Sequence, residues 1–180
     1  MTAQFPDDRP HLYVCPLSGL FGVAAGLERF DLLTLLSPGH EAADHRALNC
    51  DWHLELSFHD ITEIRPGLVA PDRAIMQAIL DFARAARERK LLIHCWAGIS
   101  RSSAAAYVVA CDSNPGFEQT IAEELRRCAP SVTPNRLMVS LADDLLGRSR
   151  RMTEAIHSIG RGAEAFEGEP YRLPLSWPIE

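Results

Sequence analysis

The feature that most constrains this chain is a cysteine and an arginine placed six positions apart, at Cys95 and Arg101. The apolar residues 91–93 before them predict a short buried strand, and the alanine-rich residues 102–110 after them predict a helix. A strand that turns sharply into a helix directs backbone N–H groups and the positive end of the helix dipole toward the turn. The pattern therefore predicts an anion-binding loop with a thiol at its floor.

The residue types in this loop suit a thiolate that attacks phosphorus. A free thiol has a pKa of about 8.5, and a helix N-terminus with a nearby guanidinium can lower it to about 3.5–7.5. Arg101 provides a planar fork that matches two phosphoryl oxygens. Gly98 permits backbone angles that a side chain would oppose, and Ser102 can offer its hydroxyl proton to the sulfur when the sulfur leaves. We expect His94 to pack behind the loop and to hold the Cys95 backbone.

This stretch reads His94-Cys95-Trp96-Ala97-Gly98-Ile99-Ser100-Arg101-Ser102. It resembles the signature loop of the cysteine-dependent protein tyrosine phosphatases, particularly of their compact dual-specificity-like branch. The resemblance extends with decreasing clarity over residues 50–147. It implies a two-step mechanism in which Cys95 forms a phosphocysteine intermediate that water hydrolyses. It also implies that Arg101 and the amides of residues 96–101 bind the phosphate, so that Trp96, Ala97, Gly98, Ile99 and Ser100 contact the substrate. No metal or cofactor is required.

The first step needs a carboxylic acid that protonates the leaving group. The family carries an aspartate on a separate loop upstream of the cysteine, and Asp60 lies there, after the alternating residues 52–58 that predict a strand. The competing interpretation of Asp60 is a turn-forming residue that caps its own backbone. Asp72 is the second candidate for the acid, although it lies at a predicted helix start. Glu63 and His59 are weaker candidates.

A second resemblance lies downstream, at Ala129-Pro130-Ser131-Val132-Thr133-Pro134-Asn135. This stretch resembles the proline-asparagine element that precedes the last core helix of the family, where the asparagine helps to brace the catalytic loop. The competing interpretation is structural, with Thr133 as a helix N-cap and Pro134 in the first turn. The next residues lack the glycine-phenylalanine pair that often follows in the family, so both interpretations of Asn135 stay open.

Hydrophobic periodicity along the chain predicts strands that alternate with helices. The strands are predicted at 11–15, 31–36, 52–58 and 91–94, and the main helices at 71–90, 101–112, 117–128 and 134–159, the last with a possible interruption at Gly147. The alternation predicts a single α/β domain with a mostly parallel central sheet and helices on both faces, similar to the protein tyrosine phosphatases. Ligands bind such sheets at the carboxyl ends of the strands, where Cys95 lies.

The same pattern divides the chain into a phosphatase domain at 1–160 and an irregular C-terminal tail at 161–180. The tail carries aromatic residues among prolines. We expect it either to pack in extended form on the domain or to stay free.

Composition limits the binding partners and the cellular compartment that we expect for this protein. The net charge of −6 argues against a general nucleic-acid-binding protein. Residues 1–8 do not have the basic and apolar regions of a signal peptide, and no apolar stretch is long enough for a membrane span. Five cysteines without metal-ligand spacing are typical of a reducing compartment, so we expect a cytoplasmic location. Whether Cys15 or Cys50 could protect Cys95 through a disulfide stays open.

The leading hypothesis is a protein tyrosine phosphatase that acts on phosphotyrosine proteins or on small phosphomonoesters. The loop residues Trp96, Ala97 and Ile99 include no lysine, whereas relatives that act on inositol phospholipids often carry extra basic residues there. The resemblance therefore disfavours a lipid or inositol-phosphate substrate without excluding it, and a dual-specificity or inositol-phosphate phosphatase stays an alternative. A non-catalytic phosphate-binding module is the alternative from another class. A further alternative is sulfur transfer or arsenate reduction by the thiolate loop. Arsenate reduction would need a resolving cysteine near Cys95, and Cys111, the nearest in sequence, lies a full helix away. The sequence predicts no oligomeric state.

Overall fold

A five-stranded sheet organises the part of the chain that the structure, a computed structural model, describes: residues 10–40, 45–86 and 90–177. Its strands are β1 (His11–Pro16), β2 (Phe30–Leu36), β3 (His53–Ser57), β4 (Lys90–Cys95) and β5 (Tyr171–Pro174). They lie in the order β3-β2-β4-β1-β5, with β1 to β4 parallel and β5 antiparallel to β1. The predicted mostly parallel α/β sheet is therefore confirmed.

Helices cover both faces of this sheet. They are α1 (Leu20–Ala25), α2 (Arg73–Ala85), α3 (Arg101–Ser113), α4 (Glu118–Cys128), α5 (Arg136–Leu145) and α6 (Arg151–Ser158), with short 3-10 turns at Leu17–Gly19 and His45–Leu48. The small α1 packs with apolar residues of β1, β2 and β4 on one face. The larger core on the other face surrounds α3, which is buried continuously from Arg101 to Cys111. Its alanines at 104–106 leave room for the neighbouring helices to approach closely.

The local sequence of α2 determines where this helix begins and which of its faces is buried. The carboxylate Oδ1 of Asp72 accepts a hydrogen bond of 2.8 Å from the Ile75 amide and so caps the helix N-terminus. Apolar residues at helical spacing are buried against the core: Met76, Ile79, Leu80 and Ala83. The interpretation of Asp72 as a helix start is confirmed.

The predicted helix over 134–159 is divided into α5 and α6. Gly147, Ser149 and Arg150 between them have positive φ angles of 62°, 53° and 70°, which a continuous α-helix does not allow. The buried Asp143 of α5 supports the break, since its carboxylate accepts hydrogen bonds of 2.7 Å from the Arg150 amide and 3.0 Å from the Thr153 amide. A side chain of one helix thus caps the next.

Of the two alternatives for the tail at 161–180, extended packing on the domain is the one that the structure shows at β5, which pairs with β1 and places Leu173 opposite Leu12. This part of the tail is a regular strand and not the irregular segment that the sequence pattern predicts. Tyr171 and Leu173 are buried while Arg172 between them is exposed, the alternation of a strand with one covered face. The prolines around this short stretch obscured the pattern, yet an edge strand tolerates them. Residues 178–180 and the segment at 1–8, on which the signal-peptide prediction depends, lie outside the described residues. No helix within the described ranges has the length and apolarity of a membrane span.

We expect Asp143→Asn to lower the free energy of unfolding by about 1–3 kcal/mol, because an amide cannot accept hydrogen bonds through both of its terminal atoms. Urea denaturation of the purified protein measures the change. Asp144→Asn is the matched control, because Asp144 is the exposed neighbour on the same helix. Equal stabilities of the two variants would contradict the capping role of Asp143.

Candidate active site

A loop at residues 96–100 joins β4 to α3 and carries the predicted anion site. Backbone amides outside the loop donate hydrogen bonds to four of its five carbonyl oxygens. The pairs are Leu17 N to Trp96 O at 3.1 Å, Gly168 N to Ala97 O at 2.8 Å, Thr133 N to Ile99 O at 3.1 Å and Asn135 N to Ser100 O at 3.2 Å. A peptide group whose carbonyl points outward presents its N–H on the opposite side. The loop is therefore held with its carbonyls outward, as an anion-binding loop requires.

Gly98 allows the loop to lie directly against β1. Its φ is +69°, and a Cβ atom built there would lie 2.7 Å from the backbone nitrogen of Pro16. Gly168 approaches from the C-terminal segment, where an added Cβ would lie 3.2 Å from the Gly98 carbonyl oxygen. Backbone atoms cannot move aside as flexible side chains do, so the approach at Gly98 requires glycine, whereas a Cβ at Gly168 would displace the loop by a few tenths of an ångström.

The thiol of Cys95 lies at the end of β4 and is nearly buried, with 2% of the residue exposed. Its Sγ lies 3.1 Å from the Oγ of Ser102, in the first turn of α3. The N-terminus of α3 adds the partial positive charge of a helix dipole beside the sulfur. The structure thus brings Cys95 and Ser102 together at the floor of the loop.

Arg101 is buried with an unused hydrogen-bond donor. Its Nη1 donates to the Phe58 carbonyl oxygen at 2.7 Å and to the Ser37 Oγ at 3.1 Å, which holds the guanidinium at the ends of β2 and β3. The Phe58 ring lies below it, 5.8 Å from Cζ. The Arg101 Nε is buried and has no hydrogen-bond partner among the described residues. A buried cation with a free donor is costly unless an anion completes it.

Asp60 lies on the loop after β3 and faces the catalytic loop. Its Oδ1 accepts hydrogen bonds of 2.7 Å from the Ser100 Oγ and 2.7 Å from the Asn135 Nδ2. The weaker candidate His59 is engaged elsewhere, because its Nδ1 accepts a hydrogen bond from the Val69 amide. Among the residues that the structure describes, Asp60 is the carboxylate that lines the same cavity as Cys95 and Arg101.

Asn135 connects three parts of the site. It is the N-cap of α5, where its Oδ1 accepts from the Met138 amide at 3.1 Å, so the prediction of Thr133 as the cap is wrong. Its backbone amide donates to the catalytic loop at Ser100, and its side-chain amide donates to Asp60. One residue therefore ties the helix, the loop and the acid-bearing segment together.

His94 lies on β4, directly before Cys95 and the loop. Its Nε2 forms a hydrogen bond of 2.8 Å with the Oγ of Thr34, and this Oγ forms a second hydrogen bond of 2.9 Å with the Nε2 of His53. The three side chains therefore link β4, β2 and β3. Burial lowers the pKa of His94 to about 4, and the nearby His53 adds to the effect. The ring is therefore neutral near neutral pH.

A cavity of about 410 Å³ opens above the thiol. Its lining contains Cys95, Arg101, Asp60, Trp96, Ala97, Ile99 and Ser100, together with Ser37 and His40. Sequence reasoning missed Ser37 and His40. Both follow β2, and the rule that ligands bind at the carboxyl ends of parallel strands could have indicated them.

The C-terminal segment contacts two residues that line this cavity, Trp96 and Ala97. The Phe166 ring lies edge-on to the Trp96 ring with 5.5 Å between centroids, and both side chains are exposed. The Glu167 carboxylate accepts a hydrogen bond of 2.5 Å from the Ser18 Oγ, beside the bond from Gly168 to the loop. Sequence reasoning missed this contribution because the segment is distant in the chain and has little periodicity.

The five cysteines are all free thiols. Cys15 is paired in register with His94 on β4, so its side chain lies on the sheet face opposite to Cys95. Burial raises the pKa of Cys15 to about 12. This geometry does not support a Cys15–Cys95 disulfide. Among the described residues, no three histidine, cysteine or acidic side chains are grouped as a metal site would need.

Comparison with known proteins shows similarity in structure only. No protein-family model matches the chain, and no curated protein matches it. DUSP15 superimposes with a TM-score of 0.58 at 15% identity, over 92% of this chain and 98% of DUSP15. Tk-PTP in its active form gives 0.53 at 20% identity, over 81% and 96%. PTPMT1 in complex with PI(5)P gives 0.55 at 14% identity, over 81% and 88%.

Gly98→Ala is expected to destabilise the protein more than Gly147→Ala. Both glycines have similar positive φ angles, but a Cβ at Gly147 meets nothing within 4 Å. The control substitution costs about 1–2 kcal/mol for the left-handed backbone alone. The clash at Gly98 adds about 1–3 kcal/mol. Urea denaturation of both variants measures the difference, and equal losses would contradict the close approach of the loop to β1.

We expect acidification to destabilise the protein through His94. Its pKa is about 4 in the folded protein against an ordinary value of 6.5, so the unfolded chain binds the extra proton first as pH falls. The stabilisation is complete above about pH 6.5 and is lost progressively down to about pH 4. Denaturation at pH 7.5 and 4.5 measures the loss.

The comparison is made with His94→Gln and with His157→Gln, which changes an exposed histidine on α6. The stability difference between the two pH values should shrink in the first variant and match the wild type in the second. An unchanged difference in His94→Gln would show that other groups cause the acid sensitivity.

Proposed function

We propose that this chain, whose fold is that of the cysteine-dependent protein tyrosine phosphatases, is a phosphoric monoester hydrolase that acts on phosphotyrosine. One observation carries the proposal: the Cys95 thiol and the buried Arg101 guanidinium line the same cavity, and the Arg101 Nε has no described partner. A phosphoryl group bound over the thiol would supply the anion that this guanidinium lacks.

In the first step the Cys95 thiolate attacks phosphorus while the bond from phosphorus to the leaving oxygen breaks. Asp60, protonated at this stage, gives its proton to the leaving phenolate. Arg101 and the loop amides hold the three non-reacting oxygens as negative charge develops on them. The products are the free phenol and a phosphocysteine on Cys95.

In the second step a water molecule attacks the phosphocysteine. The Asp60 carboxylate takes the proton of this water, the sulfur–phosphorus bond breaks, and the sulfur leaves as a thiolate. Ser102 supports the departing sulfur, which lies 3.1 Å from its Oγ in the free protein. Asn135 acts as a positioning residue, since it contacts both Asp60 and the catalytic loop.

An aryl ester is the substrate that the cavity supports best. Trp96 lines the cavity, and the Phe166 ring packs edge-on against it, so the Trp96 ring offers an aromatic surface to a phenyl ring. The loop lacks lysine, which favours phosphotyrosine over a highly charged inositol phosphate. The second candidate is a dual-specificity or inositol-phosphate phosphatase, because PTPMT1, which is similar in structure, forms a complex with PI(5)P.

We also propose a cytoplasmic location. All five cysteines are free, and catalysis requires an unoxidised thiolate at Cys95. A reducing compartment satisfies both conditions. The proposed substrates are phosphotyrosine proteins and small phosphomonoesters, hydrolysed without a metal.

Hydrolysis of p-nitrophenyl phosphate at pH 4.5–8 with reductant tests the function. Cys95→Ser and Arg101→Ala should reduce turnover to background. Asp60→Asn should slow it by about 10²–10⁴-fold and remove the decline at alkaline pH, because that decline reports ionisation of the acid. Cys50→Ser is the control, since its thiol lies outside the cavity.

Turnover that survives in Cys95→Ser would contradict the covalent mechanism. The absence of turnover in folded, reduced wild type, on this ester and on phosphotyrosine peptides, would contradict the enzyme assignment. If such protein still bound a phosphotyrosine peptide, it would be a phosphate-binding module instead.

A further inference from the structure

A second cavity lies directly beside the catalytic one. Its volume is also about 410 Å³, and Asp60 and Ser100 form a wall that the two cavities share. The proposed mechanism takes place in the first cavity and assigns no function to the second. We call it the arginine cavity, because its lining includes Arg65, Arg136 and Arg161.

The three arginines come from distant parts of the chain. Arg65 lies on the loop after β3, Arg136 is the first residue of α5, and Arg161 follows α6. Only the tertiary structure brings them to one cavity. All three are exposed, and none of their guanidinium groups forms an ion pair or hydrogen bond with another described residue. Arg84 and Arg127, by contrast, are paired with carboxylates at 2.9 Å and 2.6 Å.

The charge around the arginine cavity is strongly positive for a chain of net charge −6. Among the described residues that line it are three arginines and one carboxylate, that of Asp60, whose Oδ1 already accepts two hydrogen bonds. The N-terminus of α5 lies at the same cavity through Asn135 and Arg136, and its dipole adds partial positive charge. Like charges gathered without partners repel one another, and a bound anion relieves this repulsion.

We propose that the arginine cavity binds a second anionic group of the substrate, a phosphate or carboxylate on a residue that flanks the phosphotyrosine. This inference rests on the proposed function. The shared wall places the two cavities side by side, and neighbouring peptide residues are only about 3.8 Å apart between Cα atoms, so one extended peptide can reach both. A membrane surface is disfavoured, because the net charge of −6 opposes approach to anionic lipid.

Three phosphotyrosine peptides of otherwise identical sequence test the proposal. The residue beside the phosphotyrosine is phosphoserine in the first, glutamate in the second and alanine in the third. For the wild type, kcat/KM should be about tenfold higher for the phosphoserine peptide than for the alanine peptide, as charge-assisted hydrogen bonds to arginine suggest. The glutamate peptide distinguishes a carboxylate from a phosphate as the preferred group. Preference for either acidic peptide should weaken as salt is added.

In the triple variant Arg65→Gln, Arg136→Gln, Arg161→Gln the guanidinium donors are lost. The ratio of kcat/KM for the phosphoserine peptide to that for the alanine peptide should therefore fall to within about twofold of one. Arg73→Gln is the matched control, since Arg73 is an exposed arginine that lines neither cavity, and it should keep the wild-type ratio. Calorimetric binding of the same peptides to Cys95→Ser, with and without the three substitutions, gives a second readout that does not depend on turnover.

The failures are distinguishable. Equal kcat/KM for the three peptides in an active wild type, or an unchanged ratio in the triple variant, would overturn the inference alone. Failure of the wild type to cleave any peptide or p-nitrophenyl phosphate would overturn the proposed function. A soluble inositol bisphosphate cleaved far better than every peptide would show that the second anion belongs to a different substrate class, which also overturns the proposal.

Discussion

Everything at the candidate site depends on how the backbone of residues 96–100 is held. Amides from the turn after β1, from the residues before α5 and from the C-terminal segment donate to the outward carbonyls of this loop. Gly98 lets the loop approach β1 closely enough for that packing. Since the carbonyls are satisfied outside, the amides and the N-terminus of α3 are left for an anion. The position of Cys95 and the buried state of Arg101 follow from this arrangement.

The hydrogen bonds of Asp60 relate the catalytic cavity to the arginine cavity. Its Oδ1 is held by Ser100 from the catalytic loop and by Asn135 from the start of α5. The carboxylate forms part of the wall between the two cavities, so a substrate that occupies both would surround the proposed acid. A network of this kind positions a group without burying it, because each donor is itself fixed by a helix or by the loop.

Local patterns predicted much of the fold. The β4 strand, the sharp turn and α3 were evident from an apolar run, a glycine and a helical stretch, and the Asp72 cap was evident from its place before an apolar periodicity. The sequence allowed extended packing of the tail but did not identify β5, because this strand has only four residues with prolines beside them and its partner β1 lies at the other end of the chain. Thr133 and Asn135 could both cap a helix by residue type, and packing against the catalytic loop placed the cap at Asn135.

The sequence by itself determined the chemistry available to this protein: a thiol, a guanidinium and a glycine in a turn between strand and helix, which local spacing alone places together. The tertiary structure decided which distant residues join them. Ser37, His40, Asp60 and the three arginines come from separate segments, and the way the sheet and helices pack brings them beside the loop. Local periodicity reports the face that a residue presents, whereas contacts between distant segments depend on the packing of the whole chain.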